Sequence, residues 1–194
     1  MKKSIHLILF VISSVLIPGL YGVLHNQVTY SISNEYFTHF KFLVFGLPDY
    51  YIQPHRWGAA IVGWISSWWF GLVAGLILGS LWIWENILAL RDRYFAIGIV
   101  VITAIVFGAL GGIFSYFYYQ PQRYYEVFQF TGYTKEVLDS LNSISNPYAF
   151  LRAGVIHNSS YIGGTIGLIL GALYLNKARS KSLNKRCQKR EIIM

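Results

Sequence analysis

The chain has 194 residues, of which 55% are hydrophobic, 18% aromatic and only 12% charged. A soluble domain carries about 25% charged residues. This chain lacks the charge to cover a water-facing surface, which excludes a soluble enzyme, a disordered tail and a nucleic-acid partner despite the net charge of +8.

A membrane helix needs about 20 mostly apolar residues. Four stretches meet that demand. They predict an all-α, polytopic membrane protein with a single membrane domain over residues 1–194. The first span, 4–24, follows Lys2 and Lys3 and lacks a small-residue cleavage site, so it reads as a retained helix rather than a signal peptide. Pro18 and Gly19 are expected to kink it near its outer end. Outer loop one, 25–57, holds a predicted short interfacial helix over 34–45. Ser33 is its N-cap, and Glu35 in its first turn suits the helix dipole. The second span is 58–84 and the third 95–119. Outer loop two, 120–150, holds a second predicted short helix over 134–141, capped by Thr134. Its many Tyr and Phe residues, like those of loop one, suit the headgroup level of a bilayer. The fourth span, 151–175, is the least apolar and carries Arg152 and His157 at its outer end. A basic tail, 176–194, completes the chain and contains the lone Cys187, which has no disulfide partner.

Lys and Arg set the orientation. With four spans, both termini share a side with Lys2, Lys3, Arg91, Arg93, Lys177, Arg179, Lys181, Lys185, Arg186, Lys189 and Arg190, against the acids Glu85, Asp92 and Glu191. That side carries the whole net charge and is expected to be cytoplasmic, in an inner membrane. The tail is a topology determinant that also suits anionic lipids.

Small residues recur every four positions. The second span has Gly63, Ser67, Gly71, Gly75 and Gly79; the third has Gly108 and Gly112; the fourth has Ser159, Gly163, Gly167 and Gly171. Such ladders smooth one helix face and let backbones approach closely. They predict a tightly packed four-helix bundle. A ladder face left over would instead dock a second copy or another membrane protein.

Chemistry-capable residues gather at the outer boundary. His25, Asn26 and Gln27 follow the first span. Glu35 and His39 share a face at i, i+4. His55 and Arg56 precede the second span, and Arg152, His157 and Asn158 open the fourth. Gly22-Val23-Leu24-His25-Asn26 and Gly154-Val155-Ile156-His157-Asn158 are near copies. His25, Glu35, His39 and His157 form a candidate N/O ligand set for a transition metal ion, with Asn26, Asn158 and Arg152 as polar support. The competing reading is structural hydrogen bonding, with Glu35 paired to Lys41, Arg56 or Arg152. No His-Glu-x-x-His helix, paired Glu-x-x-His motif, Walker loop or Gly-x-Ser-x-Gly elbow occurs, and the residues do not decide whether the protein is an enzyme.

The stretch from His25 through Asn34-Glu35-Tyr36-Phe37-Thr38 to His39-Phe40-Lys41-Phe42 resembles a segment of an uncharacterised family of bacterial four-span membrane proteins. In that pattern the Glu-Tyr-Phe-Thr core is followed by Lys-Phe, and the position of His39 also carries Lys. The resemblance implies four spans and no known activity. The expected function is a membrane protein with an outer-face His/Glu polar or metal site. The alternative is a non-enzymatic assembly subunit that docks through its glycine ladders. A small transporter or channel is disfavoured by span centres without charge.

Overall fold

The computed structural model describes residues 2–47, 55–80, 89–118 and 143–191. It is all-α, with no strand among the described residues. In order come α1 (Lys2–Ile32), a π-helical turn η1 (Phe37–Lys41), α2 (Phe42–Val44), α3 (His55–Ser80), α4 (Leu90–Tyr118) and α5 (Pro147–Glu191).

Three of these helices are long and apolar enough to cross a membrane: α1 over Ile5–Ile32, α3 over His55–Ser80 and α4 over Leu90–Phe117. The expected fourth span, 151–175, does not meet that measure of length and apolarity. Helix α5 is the longest, but His157, Asn158, Ser159 and Ser160 interrupt its apolar run, and its last part is the basic tail. The outward faces are apolar: Ile5, Ile8, Ile12, Leu16 and Leu20 on α1, and Ile102, Val106, Leu110 and Phe114 on α4 are all exposed. Such faces belong in lipid.

Helix ends differ from the sequence expectation where no breaker residue stops them. α1 runs past Leu24 to Ile32, so His25, Asn26 and Gln27 lie inside the helix rather than in a loop. The tail 176–191 continues α5 rather than leaving it. The Ser33 cap is present, its hydroxyl accepting from the Tyr36 N–H at 3.2 Å. The helix it starts is short and contains the π turn η1. The expected helix over 134–141, and residues 81–84 and 119 of the second and third expected spans, lie outside the described residues.

The helices pack as two pairs, α1 with α3 and α4 with α5. Glycines set both interfaces. A Cβ on Gly63 would overlap the Gly22 carbonyl, and one on Gly22 would overlap Gly63 and Ser67. Pro18 cannot donate to the Ser14 carbonyl one turn back. Gly71 covers that carbonyl so closely that a Cβ there would collide with it. Gly75 meets Ser14, and Gly79 meets Leu7 and Phe10. In the second pair Gly163 and Gly167 sit on Thr103, Phe107 and Val100, Gly171 on Ala96, and Gly111 on Ser159. Gly108 and Gly112 face Ile156 of α5. Each glycine of the expected ladders thus has a neighbour within the chain.

Two apolar clusters join the pairs at opposite ends. Near the termini, Phe10, Ala74, Leu78, Ala96, Ile97, Val100 and Leu175 pack together. Tyr94 links the pairs there, its ring 5.7 Å from that of Phe10 and its hydroxyl 3.2 Å from Ser13 Oγ. At the other end, Tyr36, Phe37, Phe40 and Phe42 of the capped segment are buried against Ala59, Val62, Phe150, Leu151 and Ala153. Between these clusters lies a cavity lined from both pairs, by Pro18 and Phe70 on one side and Val100 and Gly164 on the other.

Candidate functional site between the helix pairs

A polar cluster bridges the pairs beside this cavity. His25 and Asn26 enter from α1, His157 and Ser160 from α5. Tyr21 sits one turn before His25, and Ser160 nearly one turn after His157, so each helix presents its polar side chains on one face. The His25 and His157 rings meet edge to face, with centroids 4.7 Å apart. Tyr21 Oη lies 2.6 Å from Ser160 Oγ and 3.2 Å from His25 Nδ1.

Asn26 ties three helices together. Its Nδ2 donates to the Ala59 carbonyl of α3 at 2.9 Å, and its Oδ1 faces His157 Nε2 of α5 at 2.9 Å. The other His157 nitrogen, Nδ1, faces the Ala153 carbonyl at 2.9 Å. Both His157 nitrogens therefore meet oxygen acceptors. A neutral imidazole carries one N–H and donates to one of them at a time.

His25 differs. With Tyr21 donating to Nδ1, its Nε2 carries the ring proton. That Nε2 is buried and has no hydrogen-bond partner. A buried donor left unmade costs about 1–3 kcal/mol, so the atom marks a place where a partner is missing.

Two cavities share Tyr21 and His25 as a common wall. One, of about 710 Å³, lies among α1, α4 and α5 and is walled by Leu24, Val28, Ile105, Ile113 and Ile156, with Arg152 at its edge. The other, of about 610 Å³, reaches α3 and includes Trp69, Phe70, Asn26, His157 and Ser160. Their size matches small-ligand sites. Leu24, Val28, Ile105 and Ile113 of the first and Trp69 and Val73 of the second are exposed, so both cavities open on the apolar outward faces.

The remaining expected site residues lie elsewhere. Glu35 accepts from the Ser145 N–H and hydroxyl, both at 2.8 Å, and from the Asn146 N–H at 3.0 Å. It fastens the capped segment to the start of α5, where Asn146 is itself the N-cap, accepting from Ala149 N–H at 3.1 Å. Partial burial pushes the Glu35 pKa up, but these donors outweigh it and hold the carboxyl below its ordinary value. His39 lies on the same side, its Nδ1 3.4 Å from Ser143 Oγ. The i, i+4 pair thus shares a face, as its spacing predicts, and that face meets residues 143–146. His25, Glu35, His39 and His157 are split between two places. Among the described residues no group of three or more His, Cys, Asp or Glu could hold a metal ion. Asn158 is exposed on α5 and takes no part in the cluster.

The basic residues considered as partners for Glu35 are engaged otherwise. Arg56 donates to Ser31 Oγ at 3.0 Å and stacks over Tyr30 at 5.0 Å. Arg152 stacks over Tyr116 at 4.9 Å, and its buried Nε has no hydrogen-bond partner. Lys41 holds its ammonium 5.7 Å from the Tyr36 ring, 5.6 Å from Phe40 and 5.9 Å from Phe45. Loss of water around it lowers its pKa to about 8.

Sequence reasoning missed Tyr21 and Ser160. Their i−4 and i+3 offsets from the two histidines would have found them. Fold and cluster together define a multi-pass helical membrane protein with a polar site between two helix pairs. No family model, no curated protein and no solved structure matches the chain.

Proposed function

We propose that the protein binds an amphiphile that enters sideways from the bilayer, with its polar group on His25 and its chain in the adjoining cavities. One observation carries this reading: the buried, unpartnered Nε2 of His25 sits at the common wall of two apolar cavities. A chain fills such space favourably, while a headgroup oxygen supplies the acceptor that His25 lacks. The polar outer-face site expected from sequence thereby keeps His25, Asn26 and His157, with an organic ligand in place of a metal ion.

In this reading the bilayer surrounds α1, α3 and α4. Helix α5 crosses beside α4, to which it is matched from Gly111 opposite Ser159 to Ala96 opposite Gly171. Both termini are then cytoplasmic by the basic-residue rule, in an inner membrane, and the tail lies against anionic lipids.

Native mass spectrometry of protein extracted in mild detergent tests the reading. Wild type should retain an adduct of lipid mass that His25→Ala loses at unchanged fold, checked by its melting temperature. Wild type without any adduct, and without stabilisation by added lipid extract, would overturn it.

A further inference from the structure

We propose that the cavity among α1, α4 and α5 selects an anionic single-chain amphiphile, whose head is held by Arg152 and His25. This rests on the amphiphile reading and adds the sign of the headgroup.

The sign comes from Arg152. Arg152 and His25 both line this cavity, and each has a buried ring or guanidinium nitrogen with no hydrogen-bond partner: Nε2 of His25 and Nε of Arg152. The Arg152 Nε–H is a donor at every accessible pH, and His25 Nε2 is a donor when Tyr21 donates to Nδ1. Two donors without acceptors ask for an oxygen-rich head. Charge-assisted bonds from guanidinium to carboxylate or phosphate are roughly twice as strong as neutral ones.

Among the described residues lining the cavity there is no Asp or Glu. Glu35, an expected partner of Arg152, is held by Ser145 and Asn146. Arg152 instead rests on the face of Tyr116, another lining residue, which fixes the guanidinium plane at the cavity edge. From there the walls are Leu24, Val28, Ile105, Ile113 and Ile156, with no further charged residue among the described ones. The arrangement is a cationic rim over an apolar trough. It suits a fatty acid or a lysophospholipid with a phosphate monoester. Carboxylate and phosphate share the chemistry that Arg152 and His25 would recognise.

The test uses full-length protein in phosphatidylcholine nanodiscs and competition against radiolabelled palmitate. The competitors are lysophosphatidate, palmityl alcohol and palmitylamine, which vary the head at similar chain length. Both anions should bind roughly tenfold tighter than the alcohol, with the amine no better than the alcohol. The tighter of the two anions names the head. Arg152→Gln should weaken palmitate roughly tenfold, and Arg152→Lys should recover part of the loss. If alcohol and anions compete equally, the charge selection is overturned while amphiphile binding stands. A folded Arg152→Gln that binds palmitate as wild type does would overturn the charge selection in the same way. If neither palmitate nor any of the other amphiphiles binds, both this inference and the amphiphile reading fall. The headgroup series on wild type decides the matter even where a variant does not fold.

Discussion

His25 and His157 meet edge to face across the gap between the two helix pairs, at 4.7 Å between ring centroids and 86° between planes. Both nitrogens of one ring face oxygen atoms, and one nitrogen of the other faces none. His157 is flanked by Asn26 and Ala153, whereas His25 keeps a buried nitrogen without a partner. The first ring holds the pairs together and the second faces the cavities. Their substitution should therefore separate stability from binding.

Removing the tie between pairs should cost stability. His157→Ala and Asn26→Ala each leave a buried polar group unpaired, at about 2 kcal/mol. Because the two share one hydrogen bond, the double variant should lose about 1 kcal/mol less than the sum. Thermal or denaturant unfolding in detergent measures all four proteins of the cycle, and strict additivity would contradict the contact.

Glycines should divide by what lies above them. Gly63→Ala places a methyl on the Gly22 carbonyl, so the α1–α3 pair must separate and the melting temperature should fall. Gly98→Ala meets nothing within 4 Å and should leave it unchanged or slightly higher. Equal effects from the two substitutions would contradict the packing.

Glu35 makes stability depend on acid. Its folded pKa lies below the unfolded one, so its contribution is complete above the ordinary carboxylate range and is lost as pH falls through the lowered folded value. Glu35→Gln should remove about 1 kcal/mol at neutral pH, the figure being modest because the site is partly open to solvent. It should also flatten the acid limb of a stability–pH profile. An unaltered acid limb would show that Glu35 does not brace α5.

Lys41 should behave as an unusually acidic lysine. With a pKa of about 8 against the ordinary 10.5, its neutral amine is populated at a lower pH than that of an ordinary lysine. Acylation rates read by mass spectrometry across pH should show Lys41 reaching half its limiting rate near pH 8. A midpoint in the ordinary lysine range would contradict its enclosure by Tyr36, Phe40 and Phe45.

What the sequence made legible followed from local rules. The four-residue spacing of Gly63, Ser67, Gly71 and Gly75 foretold a close helix face, and Ser33 foretold a cap, because neither depends on distant residues. The near copies around His25 and His157 pointed to the two histidines that do meet. Glu35 was misread because its partners, Ser145 and Asn146, are remote in the chain and bond mostly through backbone N–H groups, which leave no trace in residue type. The end of α1 was placed too early because His25, Asn26 and Gln27 look like a loop in a hydropathy profile. In the fold His25 and Asn26 face the other helices and Gln27 donates to the Arg56 carbonyl of α3, and the helix continues through them. The same effect lowers the apparent hydropathy of α5, whose His157 and Ser160 are buried against α1.

Everything proposed for this protein depends on a lipid chain occupying the space beside His25. Cells fed a diazirine-bearing palmitate, which enters the whole lipid pool, allow the occupied surface to be mapped by irradiation and peptide mass spectrometry. Crosslinks should concentrate on Ile105, Ile113 and Ile156, and fall when His25 is replaced by Ala. Labelling spread evenly over the outward residues Ile5, Ile8, Ile12 and Leu16, unaffected by His25→Ala, would contradict that occupancy.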